Sequence, residues 1–177
     1  TTVKQATIDL FTRIFAVLAP PPDMTISEWA DEYRRLSSES SAEPGRWRTS
    51  KAPYQKEIMD AICDVSIQKV VVMSAAQIGK TDGFILTPIG YFMHYDPSPI
   101  MVLQPTIQMA ETFSKDRLSP MLRDTPVLRD RVNDKARNSG NTILQKIFPG
   151  GHVTMVGANS PSSLASRPIR ILLADEI

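Results

Sequence analysis

The sequence predicts an α/β domain with a mostly parallel sheet flanked by helices, on three observations. A β-branched run, Val70-Val71-Val72-Met73, passes through a small-residue loop into an apolar helical stretch from about Lys80 to His94. A second apolar run, Ile100 to Leu103, ends at Gln104-Pro105-Thr106 and leads into a charged helical stretch reaching Arg123. A third, Ile169 to Ala174, closes on Asp175-Glu176. Short apolar runs suit strands buried on both faces, and alternation with helices is how parallel strands are joined.

The remaining elements follow in chain order. Leu10, Phe11, Ile14, Phe15 and Leu18 lie at helical spacing within Val3 to Leu18, and Pro20-Pro21-Pro22 stops that helix. Asp23 or Thr25 caps a second helix, Ile26 to Leu36, and Ser37 to Gly45 reads as a surface loop. A third helix is expected from Pro53 to Asp64, with Tyr54, Ile58 and Ile62 on one stripe. Thr142 to Phe148 and His152 to Val156 flank Pro149-Gly150-Gly151, a hairpin signature. Residues 1–50 are thus expected to form a helical segment with a linker, and 51–177 the sheet-bearing core.

Composition excludes several classes. The 177 residues are 42% hydrophobic and 22% charged, ordinary values for a folded domain. The net charge of +1 argues neither for nor against nucleic acid. One cysteine, Cys63, allows no internal disulfide and reads as a small buried residue in a reducing compartment. No apolar run approaches the roughly 20 residues of a membrane span, and the N-terminus lacks signal-peptide order. The chain starts at Thr1 and stops at Ile177 just past the acid pair, which reads as a fragment.

The loop between the first strand and its helix is Ser74-Ala75-Ala76-Gln77-Ile78-Gly79-Lys80-Thr81. It follows the P-loop pattern, with Ser74 where the first glycine is usual. Converging backbone N–H groups and a helix N-terminus favour phosphate there, and Gly79 has no Cβ to obstruct it. Lys80 can reach the β- and γ-phosphates of ATP, and the Thr81 hydroxyl can ligate Mg²⁺. A chance Gly-Lys-Thr between strand and helix is the bland alternative. Against it stands Asp175-Glu176, an acid pair in the required order at the end of another strand. There Asp175 would hold the metal, and Glu176 would orient and deprotonate water.

Weaker signals surround these. Gln55 can donate and accept toward the adenine edge and Tyr54 can stack on the base, although an ordinary helix start fits equally well. Arg167 can contact a γ-phosphate as an arginine finger, or be a solvated loop residue. Lys115, Arg117, Arg123, Arg129, Arg131, Lys135 and Arg137 are interleaved with acids and read as a solvated face. His94 and His152 lack metal-ligand partners, and Trp29 and Trp47 read as packing residues.

With these residues in hand, the sequence resembles the large terminase subunits of tailed bacteriophages, in the lambda-type branch. The resemblance runs through Ser27-Glu28-Trp29-Ala30-Asp31, Pro44-Gly45-Arg46-Trp47, Ala52-Pro53-Tyr54-Gln55 and Ser74 to Thr81. It continues through Val102-Leu103-Gln104-Pro105-Thr106, Lys115-Asp116-Arg117-Leu118, Gly157-Ala158-Asn159-Ser160 and Leu173-Ala174-Asp175-Glu176. It implies a P-loop NTPase of the additional-strand, catalytic-glutamate type, ending here after the Walker B strand. By motif, Lys80 and Thr81 match the Walker A residues, Asp175 the metal-holding aspartate, Glu176 the catalytic glutamate and Gln55 an adenine contact. It further implies a homo-oligomeric ring that moves double-stranded viral DNA into a procapsid, with a C-terminal nuclease in the intact protein. The implied partners are the small terminase subunit and the portal protein, in the host cytoplasm.

Terminases often carry an arginine within the P-loop, where Ala75 and Ala76 stand here, so an arginine finger must come from Arg167 or another subunit. The polypeptide alone is expected to hydrolyse ATP poorly and not to cut DNA. Two rivals are a superfamily 2-type helicase, which would separate strands, and a non-catalytic P-loop assembly module, which would fail to bind ATP.

Overall fold

Thr25 starts the first described helix, Ile26–Tyr33, by a reciprocal cap. Its hydroxyl accepts from the Glu28 N–H, and the Glu28 carboxylate accepts from the Thr25 N–H at 2.9 Å. Between Asp23 and Thr25, the threonine is therefore the cap. The computed structural model describes residues 23–39, 41, 43–132, 140–159, 164 and 168–176. The helix expected over 3–18, and Arg167, lie outside them.

This first helix stops at Tyr33, short of the expected Leu36. Arg34 turns to extended backbone, and Arg35–Leu36 (β1) pairs antiparallel with Gly45–Arg46 (β2). The Arg34 side chain is buried at this point of the turn. Trp29 is completely buried and Trp47 nearly so, as packing residues. Gly90 makes room for the former: a Cβ there would lie 2.4 Å from Trp29 Cη2. Both tryptophans share one core with Met59, Phe84, Ile89, Ile100 and Met155. Cys63 is only half-buried, at the end of the Tyr54–Cys63 helix.

His94 belongs to the same packing. Its Nδ1 accepts from Trp29 Nε1 at 3.0 Å, and the Tyr33 ring meets it edge-on at 5.0 Å. Burial, with a smaller contribution from Arg131, pushes the imidazole below its ordinary value of 6.5. A depressed value means the unfolded chain binds more protons on the acid side. The stabilisation is therefore complete above about pH 6.5 and falls away as the pH drops toward the folded value. Melting midpoints taken from pH 7.5 down to pH 5.5 should decline more steeply for the wild type than for His94→Asn. Parallel profiles would remove His94 from the account.

The helices expected from Lys80 to His94 and from Thr106 to Arg123 both run through a proline, at Pro88 and Pro120, and both survive it by the same device. A proline ring inside a helix collides with the carbonyl four residues back. Here the turn before each proline widens to π geometry, over Thr81–Leu86 and Ser114–Leu118, before α-helix resumes over Thr87–His94 and Ser119–Asp124. The preceding hydroxyl residue secures the widened turn. Thr87 donates from its N–H and its Oγ1 to the Asp82 carbonyl, and Ser119 does the same to Ser114. Thr106 caps the second of these helices by accepting from the Met109 N–H at 3.2 Å.

Among the described residues the main sheet has four strands, in the order Gln145–Phe148 (β4), Gly151–Gly157 (β5), Ile100–Gln104 (β3) and Ile171–Ala174 (β6). Ile100–Gln104 (β3) is central and parallel to both Gly151–Gly157 (β5) and Ile171–Ala174 (β6). Gln145–Phe148 (β4) joins β5 by the expected antiparallel hairpin, whose Gly150 sits at φ 89°, a conformation glycine adopts without strain. The sheet is therefore mixed and mainly parallel, with Ile100, Val102, Val153 and Met155 buried under the helices.

One expectation fails. Val70–Met73, predicted as a buried strand, pairs with no strand among the described residues and is exposed, Val71 at 77% and Met73 at 99%. β-branched residues favour a strand only where a partner edge receives them. β3 has both neighbours already, and the outer edge of β6, where Leu172 is also exposed, has no partner among the described residues.

Candidate nucleotide site

The Ser74–Thr81 loop is shaped by two left-handed residues, Gln77 at φ 60° and Gly79 at φ 78°. Ser74, Ala75, Ala76, Gln77 and Gly79 are exposed, while Ile78, Lys80 and Thr81 are half-buried where the loop enters its helix. The loop is held from below by the start of the Tyr54–Cys63 helix. Tyr54 Oη donates to the Ile78 carbonyl at 3.0 Å, and Gln55 Nε2 donates to the same oxygen at 2.7 Å.

Gln55 is buried and wedged between two glycines. A Cβ on Gly79 would lie 3.1 Å from its Nε2, and one on Gly83 would lie 2.9 Å from its Oε1. That oxygen has no hydrogen-bond partner. The structure thus gives the Gln55 amide a backbone partner in the phosphate loop, where the sequence suggested an adenine edge. The Tyr54 ring, just over half exposed, keeps a face toward solvent.

Across the loop stands the acid pair. Asp175 extends the pairing of β6 by donating its N–H to the Leu103 carbonyl at 3.0 Å. The next residue, Glu176, turns sharply at φ 57°. Adjacent strand residues would point to opposite faces. The left-handed turn brings both carboxylates to the sheet's carboxyl edge instead, and for a non-glycine residue it costs about 1–3 kcal/mol. Glu176 Oε1 accepts from Lys80 Nζ, and this contact holds the Lys80 ammonium above its ordinary range. The P-loop lysine and the acid pair, 96 positions apart, therefore meet.

Thr81 and Asp175 line one open cavity of about 670 Å³. Glu39 and Ser41 reach it from the loop before β2, and Thr112, Asp116 and Arg117 from the helix after β3. A hydroxyl and a carboxylate facing one space are hard oxygen donors of the kind Mg²⁺ takes, with water and phosphate completing the shell. No group of three His, Cys, Asp or Glu residues suited to a metal occurs among the described residues. A site that shares its metal with a bound phosphate needs no such group.

Sequence reasoning missed one group. Arg34, 1% exposed, donates from Nη2 to Asp82 Oδ1 at 3.0 Å, from Nη1 to the Arg35 carbonyl at 2.9 Å, and from Nε to Thr87 Oγ1 at 3.4 Å. It thereby ties the first helix to the residue after Thr81. Asp82 directly after Gly-Lys-Thr was the available signal, but its partner is 48 positions away. Arg117 is exposed, as its basic series was read, and it also lines the open cavity.

Comparison with known proteins bears on the same region. Residues 41–177 match the family described as phage terminase large subunit gpA, ATPase domain. The terminase large subunit of Enterobacteria phage P21 is 28% identical over 168 residues, covering 94% of this chain and 26% of that protein. The terminase large subunit of Escherichia phage lambda is 29% identical over 161 residues, covering 89% of this chain and 24% of that protein. The chain thus spans about a quarter of the length of these relatives. No solved structure matches it. The sheet, the loop and the acid pair all fall inside the matched residues, and the chain belongs to the gpA-type ATPase domains of phage terminase large subunits.

Proposed function

We propose that this chain binds and hydrolyses ATP as the motor part of a phage DNA-packaging machine. The observation that carries this reading is the meeting of Lys80 with Glu176 beside a cavity that Thr81 and Asp175 share. The Ser74–Thr81 backbone and Lys80 clamp the phosphates, and the exposed Tyr54 ring offers the base a stacking face. Thr81 and Asp175 would hold Mg²⁺, which supplies charge neutralisation at the β- and γ-phosphate oxygens.

Glu176 then orients water for in-line attack. The water oxygen bonds to the γ-phosphorus as the bond from that phosphorus to the bridging oxygen breaks. The proton passes to the Glu176 carboxylate, and the bridging oxygen leaves with its electron pair on ADP. Lys80 must leave Glu176 for the phosphates at this point, so the ion pair belongs to the nucleotide-free state.

In the intact protein this cycle drives double-stranded DNA through a ring of subunits docked on the portal of a procapsid in the host cytoplasm. The small terminase subunit is a partner of this motor, and the nuclease of the intact protein cuts the DNA. Lys80→Ala tests the reading: one charge-assisted hydrogen bond contributes roughly 1.5–3 kcal/mol. The variant of the intact protein should lose at least tenfold in ATP affinity or DNA-stimulated turnover. Full stimulated activity in that variant would refute the role.

A further inference from the structure

We propose that Gln55 is a positioning residue for the phosphate loop and does not read the base. It holds the Ile78 carbonyl so that the Gly79 N–H is presented to the phosphates. The inference rests on the nucleotide reading above and assigns a role within that site.

Both ends of the Gln55 amide are enclosed by the protein. Nε2 donates to the Ile78 carbonyl at 2.7 Å, and Oε1 is buried without a partner. The residue as a whole is 3% exposed. Turning the amide over would set oxygen against oxygen at Ile78, so the nitrogen faces the loop. A glutamine that recognises an adenine edge offers that edge a donor and an acceptor together. This one offers neither. A buried acceptor without a partner is costly, and the contact that compensates for it is the one to Ile78.

That contact acts through one rigid plane. The peptide joining Ile78 to Gly79 is trans, so its carbonyl and its N–H point in opposite directions. Tyr54 Oη and Gln55 Nε2 both draw the carbonyl toward the Tyr54–Cys63 helix, which turns the Gly79 N–H away from it. Two donors on one carbonyl occupy both of its lone pairs and hold the plane against rotation. Gly79 then leads at φ 78° into Lys80, whose ammonium meets Glu176. Backbone N–H groups in this part of a P-loop are the ones that cradle phosphate.

Two glycines form the socket for the amide. Gly79 and Gly83 are one helical turn apart, the Gly83 N–H donating to the Gly79 carbonyl at 2.9 Å. The first passes Nε2 and the second passes Oε1, each too closely for a Cβ to fit without displacing the amide. Gly83 lies inside the Thr81–Leu86 turn, and its φ is not left-handed. Alanine is the better helix former at such a position. The approach of Gln55 is what the glycine accommodates.

The test uses the intact protein with Gln55→Met, which keeps the volume and removes the donor, Gly83→Ala, which crowds the amide, and the double variant. Affinities for MgATP and MgGTP are measured by equilibrium competition, alongside the melting midpoint. Q55M should weaken MgATP roughly three- to tenfold, the effect of one neutral hydrogen bond, and leave the preference for ATP over GTP unchanged. G83A should weaken MgATP to a similar extent in the wild-type background. In the Q55M background it should add less than about twofold, the non-additivity expected of groups in contact. A fall in the preference for ATP in Q55M would overturn the assignment and make Gln55 a base reader. Wild-type MgATP affinity in Q55M with a lowered melting midpoint would also overturn it, leaving Gln55 as scaffold. So would a G83A loss that persists in full in the double variant. If wild type fails to bind MgATP, the nucleotide reading itself falls, and that result is distinct from any outcome for Gln55.

Discussion

Glutamine in place of Glu176 should slow ATP turnover by roughly 10²–10⁴-fold, the usual contribution of a positioned general base. The substitution keeps the shape of the side chain and the left-handed turn that aims it, and removes only its ability to take a proton. It also breaks the ion pair with Lys80, whose ammonium is then no longer held above its ordinary range by that contact. The amine is still charged at neutral pH and is released for the phosphates. MgATP affinity should consequently hold or rise while turnover collapses, a split that general unfolding cannot produce. Equilibrium binding and single-turnover hydrolysis in the intact protein read the two quantities separately. Undiminished turnover in Glu176→Gln would place the base elsewhere.

Arg34→Ala should cost roughly 3–5 kcal/mol of folding stability, the range for removing one partner of a buried pair. Burial pushes the Arg34 guanidinium down to about 10, with Asp82 opposing that shift. The guanidinium stays charged at neutral pH because Asp82, the Arg35 carbonyl and Thr87 receive its donors. Alanine leaves a void in the core, an uncompensated carboxylate and a carbonyl without its donor. Asp82 follows Thr81 directly, so nucleotide affinity should weaken along with stability. Arg34→Met combined with Asp82→Leu should regain part of the lost stability, since a buried ion pair and an apolar pair of similar volume often balance. Urea midpoints at constant slope measure all three proteins. A loss below about 1 kcal/mol for Arg34→Ala, the level of a solvated pair, would reduce the contact to decoration.

How much of this was readable beforehand depended on the distance over which each feature is decided. Thr25 before its helix and Pro149-Gly150-Gly151 are local devices, and each produced the cap or turn its chemistry demands. The P-loop and the acid pair were readable because phosphate chemistry restricts which residues can stand there, and their resemblance to terminases is matched by the family comparison. Thr87-Pro88 and Ser119-Pro120 were visible as pairs, but the π turns they impose depend on a carbonyl five residues back. Val70–Met73 carried strand propensity without a partner strand among the described residues, a pairing that no local pattern encodes. The Gln55 grip on Ile78 and the Arg34–Asp82 pair depend on contacts between distant segments, which appear only once the chain is folded.

The outer side of β6 has a practical consequence for handling the protein. A parallel strand with no partner on its outer edge among the described residues, with Leu172 exposed on it and Val71 and Met73 exposed just before the phosphate loop, is a template for another molecule's strand. Concentrated solutions of this polypeptide should therefore cloud and precipitate through sticky intermolecular pairing, and a lysine placed at position 172 should keep them clear.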